Sequence, residues 1–171
     1  MILISGKKLT SVLILVFVFL FLSVFAGCTE EKKIDTGGDF VFTSLDGETK
    51  HLSDYRGKVV ILDMWATWCG PCKLQLSELK EVYKNYSRDD VEFLSIDIDQ
   101  RESMELIQSF LSDFEYEWTF GLDNGSIWET YKGASGGIPT LCIFDKNGTL
   151  SFSHEGLIVQ TTLTLIIDKL I

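Results

Sequence analysis

Proline and histidine are scarce, with two of each in 171 residues. Against 46% hydrophobic and 12% aromatic content, that scarcity excludes a disordered or collagen-like chain. Basic residues are also short: 15 Lys and Arg face 25 Asp and Glu, a formal charge of −10. Binding phosphate needs basic patches, so the balance argues for no nucleic-acid partner. Two histidines and four cysteines leave little material for a metal centre. What is present suffices for one domain with a sizeable core.

The hydrophobic residues are unevenly spread. Met1 to Leu9 carries Lys7 and Lys8 and no acid, and Val12 to Leu22 then runs without a polar side chain. Ser23-Val24-Phe25-Ala26-Gly27-Cys28 follows. A basic start, an apolar run and small residues before a cleavage point describe an export leader over residues 1–27. Phe25-Ala26-Gly27-Cys28 resembles a lipobox, in which Cys28 becomes the lipidated first residue of a mature lipoprotein. The alternative is an uncleaved helical anchor from Leu9 to Ala26, barely long enough to span a bilayer. Either reading places the remainder at the cell membrane on its extracytoplasmic side. Without the leader, 13 basic and 25 acidic residues remain, a formal −12. Residues 28–38 read as a flexible tether ending in Gly37-Gly38. Residues 39–171 read as the folded domain.

Along that domain, Phe40 to Leu45 and Thr49 to Leu52 flank Asp46-Gly47 as a hairpin. Ser53 to Gly57 reads as one helical turn capped by Ser53. Val59 to Trp65 is a near-continuous apolar run, as expected of a central strand buried on both faces. Cys72, Leu76, Leu79, Tyr83 and Tyr86 recur at helical spacing, predicting a helix from Pro71 to Tyr86. Val91 to Ile98 reads as a second buried strand, and Met104 to Phe114 as an amphipathic helix. A strand at Trp118 to Leu122 and a short helix at Ser126 to Tyr131 come next. A hairpin over Thr140 to Phe144 and Thr149 to Ser153 follows, and a helix from Thr161 to Leu170 closes the chain. This order predicts an α/β fold whose mixed sheet carries helices on both faces.

Trp68-Cys69-Gly70-Pro71-Cys72 carries the chemistry. Two cysteines separated by two residues at a helix start can close a disulfide with little backbone movement. Cys69 falls at the positive end of the helix, where free N–H groups and the dipole favour a thiolate. Cys72, one turn in, is the more buried and suits a resolving role. Pro71 fits the first helical turn, where its missing N–H costs nothing. A zinc site would need a second Cys/His pair, yet Cys142, His51 and His154 stand unpaired in sequence. A c-type haem site would need His after Cys72, where Lys73 stands. A structural disulfide over so short a loop would stabilise little.

The stretch Val59 to Lys73 resembles the active-site segment of the thioredoxin superfamily, and Gly137-Ile138-Pro139-Thr140 resembles its cis-proline loop. Arg56-Gly57-Lys58, with the extra strand and helix inserted before Pro139, resembles the membrane-tethered TlpA/ResA-like branch. The resemblance covers Phe40 to Leu170. It implies a thioredoxin-like fold with an N-terminal hairpin. It also implies a redox-active Cys69–Cys72 disulfide with no other cofactor, Cys69 attacking and Cys72 resolving. Asp63 matches the buried acid, whose raised pKa would let it serve as base for Cys72. Pro139 would lie against the disulfide, and Ile138 would offer backbone to an extended substrate. Trp68, Gly70 and Pro71 would complete the docking surface around an exposed Cys69, and Trp65 would pack beneath. Gly136-Gly137 would give a mobile approach to Pro139. Ser77 and Ser95 depart from the family pattern, standing where a kinking proline and a lysine are usual. Cys142 reads as a buried apolar residue.

The expected function is an extracytoplasmic thiol–disulfide oxidoreductase that reduces protein disulfides, fed by a membrane or extracytoplasmic electron donor. Two alternatives stay open: an oxidant of secreted thiols, and a non-enzymatic assembly factor or metallochaperone on the same fold.

Overall fold

Val59–Trp65 forms strand β3, and all seven of its residues are buried. The computed structural model describes residues 38–171. The expected leader, Cys28 and most of the tether lie outside the described residues. The remaining strands are β1 (Val41–Ser44), β2 (Thr49–His51), β4 (Val91–Asp97), β5 (Thr119–Asp123), β6 (Thr140–Phe144) and β7 (Leu150–Glu155). The helices are α1 (Gly70–Tyr83), α2 (Met104–Leu111), α3 (Ser126–Tyr131) and α4 (Gln160–Ile167). Among the described residues the strands build one mixed sheet in the order β2-β1-β5-β4-β3-β6-β7. β3 runs parallel to β4 and antiparallel to β6, so it lies in the interior of the sheet.

Alternation along β3 divides the core. Val59, Ile61 and Trp65 face one side, with Cys72, Leu76, Leu79 and Val82 of α1, Ile107 of α2 and Leu163 and Ile167 of α4. Val60, Leu62 and Met64 face the other, with Phe42, Ile127, Tyr131, Cys142 and Phe144. Asp63 has the same parity as Ile61 and Trp65, so it lies on the face that α1 covers.

The thioredoxin-like architecture and the inserted β5 and α3 stand as the sequence predicts. Several boundaries differ. Leu52–Tyr55 is a 3-10 turn capped by His51 rather than Ser53. Ser53 instead uses its backbone N–H and hydroxyl to reach Asp39, at 2.7 and 2.8 Å. β7 extends two residues past the predicted Ser153, so Glu155 is a strand residue. α1 begins at Gly70 and runs unbroken to Tyr83 with Ser77 in its middle. The Ser77 hydroxyl donates to the Lys73 carbonyl at 3.0 Å, a bond proline cannot make. No helix of the described residues is long and apolar enough to cross a membrane.

Candidate active site

Parallel pairing carries β3 into a loop that opens α1, and that junction places Cys69. Cys69 is the N-cap of α1, with Pro71 in the first turn. Cys69 and Cys72 are joined as a disulfide with Cα atoms 5.3 Å apart. The Cys72 backbone N–H donates to Cys69 Sγ at 3.2 Å. That donor and the helix dipole favour negative charge on the Cys69 sulfur once the bond is reduced.

Cys69 is only 3% exposed and Cys72 fully buried. The sequence led us to expect an open Cys69, and that expectation is corrected. The segment before Pro139 covers the sulfur, with the Ile138 carbonyl oxygen 3.7 Å from Cys69 Sγ. The Ile138–Pro139 peptide is cis, and Pro139 is buried.

Trp68 is 60% exposed beside this covered sulfur, and its orientation is fixed from below. Its indole N–H donates to Asp99 Oδ2 at 2.9 Å. Asp99 also accepts from the Arg101 guanidinium at 2.8 and 2.6 Å. Bonding to Arg101 first, then to Trp68, holds the Asp99 carboxyl well below the usual carboxylate range. The neighbouring Thr67 gives its hydroxyl and backbone N–H to Glu102, at 2.7 and 3.2 Å. Two carboxylates from the β4–α2 connection therefore hold the loop immediately before Cys69.

Behind the disulfide lies a polar chain inside the core. Register sets Asp63 of β3 directly beside Ser95 of β4. Trp118 Nε1 donates to Ser95 Oγ at 3.0 Å, and Ser95 Oγ donates to Asp63 Oδ2 at 3.1 Å. Asp63 Oδ1 has no hydrogen-bond partner among the described residues. Burial pushes the Asp63 pKa up to about 7, against the opposing effect of the Ser95 hydrogen bond. A carboxyl of that kind exchanges a proton near neutrality. Asp97, two residues along β4, is also pushed up, by burial first and then by Glu102.

Sequence reasoning missed Gln75, Asp99, Glu102 and Glu155. Gln75, fully buried, holds the Ile158 backbone with both halves of its amide, at 3.2 and 2.9 Å. The Gly136-Gly137 approach, expected to be mobile, is anchored: Glu155 accepts from the backbone N–H groups of Ser135 and Gly137. Each of these contacts joins residues at least 18 apart in sequence, beyond the reach of local periodicity. An acid every second residue at the end of a buried strand, Asp97 then Asp99, was the one available signal. Gly70 and Pro71 are exposed beside the disulfide, and Trp65 is buried beneath it against Phe110 and Phe120. Among the described residues no group of three or more His, Cys, Asp or Glu could hold a metal ion.

Comparison with known proteins agrees with this geometry. The family model described as the AhpC/TSA family matches residues 35–153. A thiol-disulfide oxidoreductase ResA of Bacillus thuringiensis is 30% identical over 132 residues, covering 75% of this chain and 74% of that protein. Its counterpart in Geobacillus thermodenitrificans is 31% identical over 143 residues, covering 81% and 80%. The crystal structure of the exposed lipoprotein thioredoxin of Streptococcus pneumoniae superposes with a TM-score of 0.67 at 29% identity. That match covers 78% of this chain and all of the other. The chain thus belongs to the AhpC/TSA family of the thioredoxin superfamily, and within it to the ResA-type thiol–disulfide oxidoreductases.

Proposed function

We propose that the chain reduces disulfides of extracytoplasmic proteins from a membrane-tethered position. The observation that carries this reading is the asymmetric pair at the start of α1. Cys69 caps the helix and accepts the Cys72 N–H, while Cys72 lies fully buried on the sheet face that Asp63 shares. In the reduced chain, the Cys69 thiolate attacks one sulfur of a partner disulfide. A mixed disulfide forms and the partner's other sulfur leaves as a thiolate. Ionised Asp63 takes the proton from Cys72, and the Cys72 thiolate then attacks Cys69 Sγ. The second partner sulfur leaves, the Cys69–Cys72 disulfide closes, and two electrons have passed to the partner. A dithiol donor at the membrane or outside it returns those electrons.

Pro139 and the Ile138 backbone border Cys69 and are suited to receive an extended segment of the partner. Trp68, Gly70 and Pro71, exposed next to Cys69 in the chain, complete the docking surface in this reading. Tethering rests on the lipobox-like run ending at Cys28, with residues 28–38 as the spacer. The pneumococcal relative, an exposed lipoprotein, supports the same arrangement. Equilibrating the full-length chain with redox buffers tests the direction of electron flow. A potential near thioredoxin's, about −270 mV, supports the reductant, and one near DsbA's, about −120 mV, overturns it in favour of the oxidant.

A further inference from the structure

Three hydrogen-bond donors from the segment that covers Cys69 converge on one side chain. Glu155 Oε2 accepts the Ser135 backbone N–H at 3.1 Å. Glu155 Oε1 accepts the Gly137 backbone N–H at 3.0 Å and also the Ser135 hydroxyl. The sheet fixes where this carboxylate stands. Glu155 pairs with Thr140, the residue after Pro139, and the Gly156 N–H donates to the Pro139 carbonyl at 2.8 Å. The Thr140 hydroxyl in turn donates to the Gly137 carbonyl at 2.6 Å. The backbone makes room for the same carboxylate. A Cβ on Gly133 would collide with Glu155 Oε2, and one on Gly137 would lie 2.7 Å from Oε1. Side chains are absent at the two places where they would displace the carboxylate.

We infer that Glu155 is a positioning residue for substrate docking: it fixes residues 135–137 so that the Ile138 backbone is held ready for an extended, disulfide-bearing peptide segment beside Cys69. The inference rests on the reading that Ile138 receives the partner's backbone. A group that only orients a docking edge contributes where a peptide docks. A small disulfide makes no such contact and needs only the sulfur. Loosening the clamp also uncovers a sulfur that Ile138 now shields.

The test uses the reduced full-length chain in detergent, with insulin as protein disulfide and hydroxyethyl disulfide as small disulfide, both in single turnover. In Glu155→Ala the half-saturating insulin concentration should rise about tenfold, less than the hundredfold that a misplaced positioning group can cost. The limiting rate should stay near the parent's, and the small disulfide should react at the parent rate or faster. Gly137→Ala should raise the insulin requirement in the parent but add nothing in Glu155→Ala, because the carboxylate its Cβ strikes, at 2.7 Å from Oε1, is gone there. An unchanged insulin requirement in Glu155→Ala, additive effects in the double variant, or an equal loss with both disulfides would overturn the inference. A parent chain inert toward both disulfides would instead overturn the underlying redox reading.

Discussion

The Ser95 hydroxyl donates its single hydrogen to Asp63 Oδ2 and accepts the Trp118 indole N–H, so one side chain satisfies two buried groups. Ser95→Ala leaves both without their partner inside the core. The expected loss of stability is about 1–3 kcal/mol, the desolvation cost of an orphaned buried group. The Ser95 bond also lowers the Asp63 pKa, so its removal should move that pKa further up. The pH dependence of mixed-disulfide resolution should shift upward in Ser95→Ala. A stable variant with an unshifted profile would contradict this account of Ser95.

Asp63→Asn separates two consequences of one buried carboxyl. With a folded pKa of about 7 against an ordinary value of 3.8, the folded chain keeps its proton after the unfolded chain has lost it. Stability therefore falls as pH rises from about 4 to about 7, and levels off above. Asparagine does not titrate there, so the variant should gain on the parent across that window, by on the order of 4 kcal/mol at most. Denaturant unfolding at pH 4, 6 and 8 reads the difference. Resolution by Cys72 should slow in the variant, and the deficit should widen as pH rises through 7, where the parent's carboxylate becomes available as base. A parallel fall in stability with unchanged resolution would leave Asp63 a structural acid only.

The two cysteines should divide their labour. Cys72→Ser should accumulate a mixed disulfide through Cys69, visible as a slower band without reductant, whereas Cys69→Ser should accumulate none. Equal trapping by both variants would contradict the helix-terminus account of Cys69.

Cys28→Ser tests the anchor. The variant should lose incorporation of labelled fatty acid and keep its unprocessed leader. A variant labelled and processed like the parent removes the lipobox from the proposal and leaves the uncleaved helix.

Much of this was legible because local chemistry and period agreed. The near-continuous apolar run Val59 to Trp65 read as a buried strand, and Cys69-Gly70-Pro71-Cys72 supplied its own helix start. Asp63 was visible as a charge inside that run. Its partner Ser95 was visible only as a departure from the family pattern, since the bond depends on register between β3 and β4. The alternation of Asp97 and Asp99 marked an acid but not its partner Trp68, and the Glu155–Gly137 contact joins distant segments and left no periodic trace. Glu155 was lost for a second reason. The β7 pattern is largely exposed, so the strand lacked the apolar alternation that would have carried the hairpin beyond Ser153. The closure of Ile138 over Cys69 depends on tertiary packing, and nothing in a local window encodes it.

Cys142 sits on the far side of the sheet from the disulfide, fully buried in the opposite core, and is the one free cysteine among the described residues. The sheet thus stands between the Cys69–Cys72 disulfide and this thiol, and the described residues hold a single two-electron couple. Burial pushes the Cys142 thiol pKa up, which makes it a silent label until β6 separates from its neighbours. Its alkylation rate then becomes a clock for opening of the central sheet, running in the same tube as the chemistry of Cys69 and blind to it.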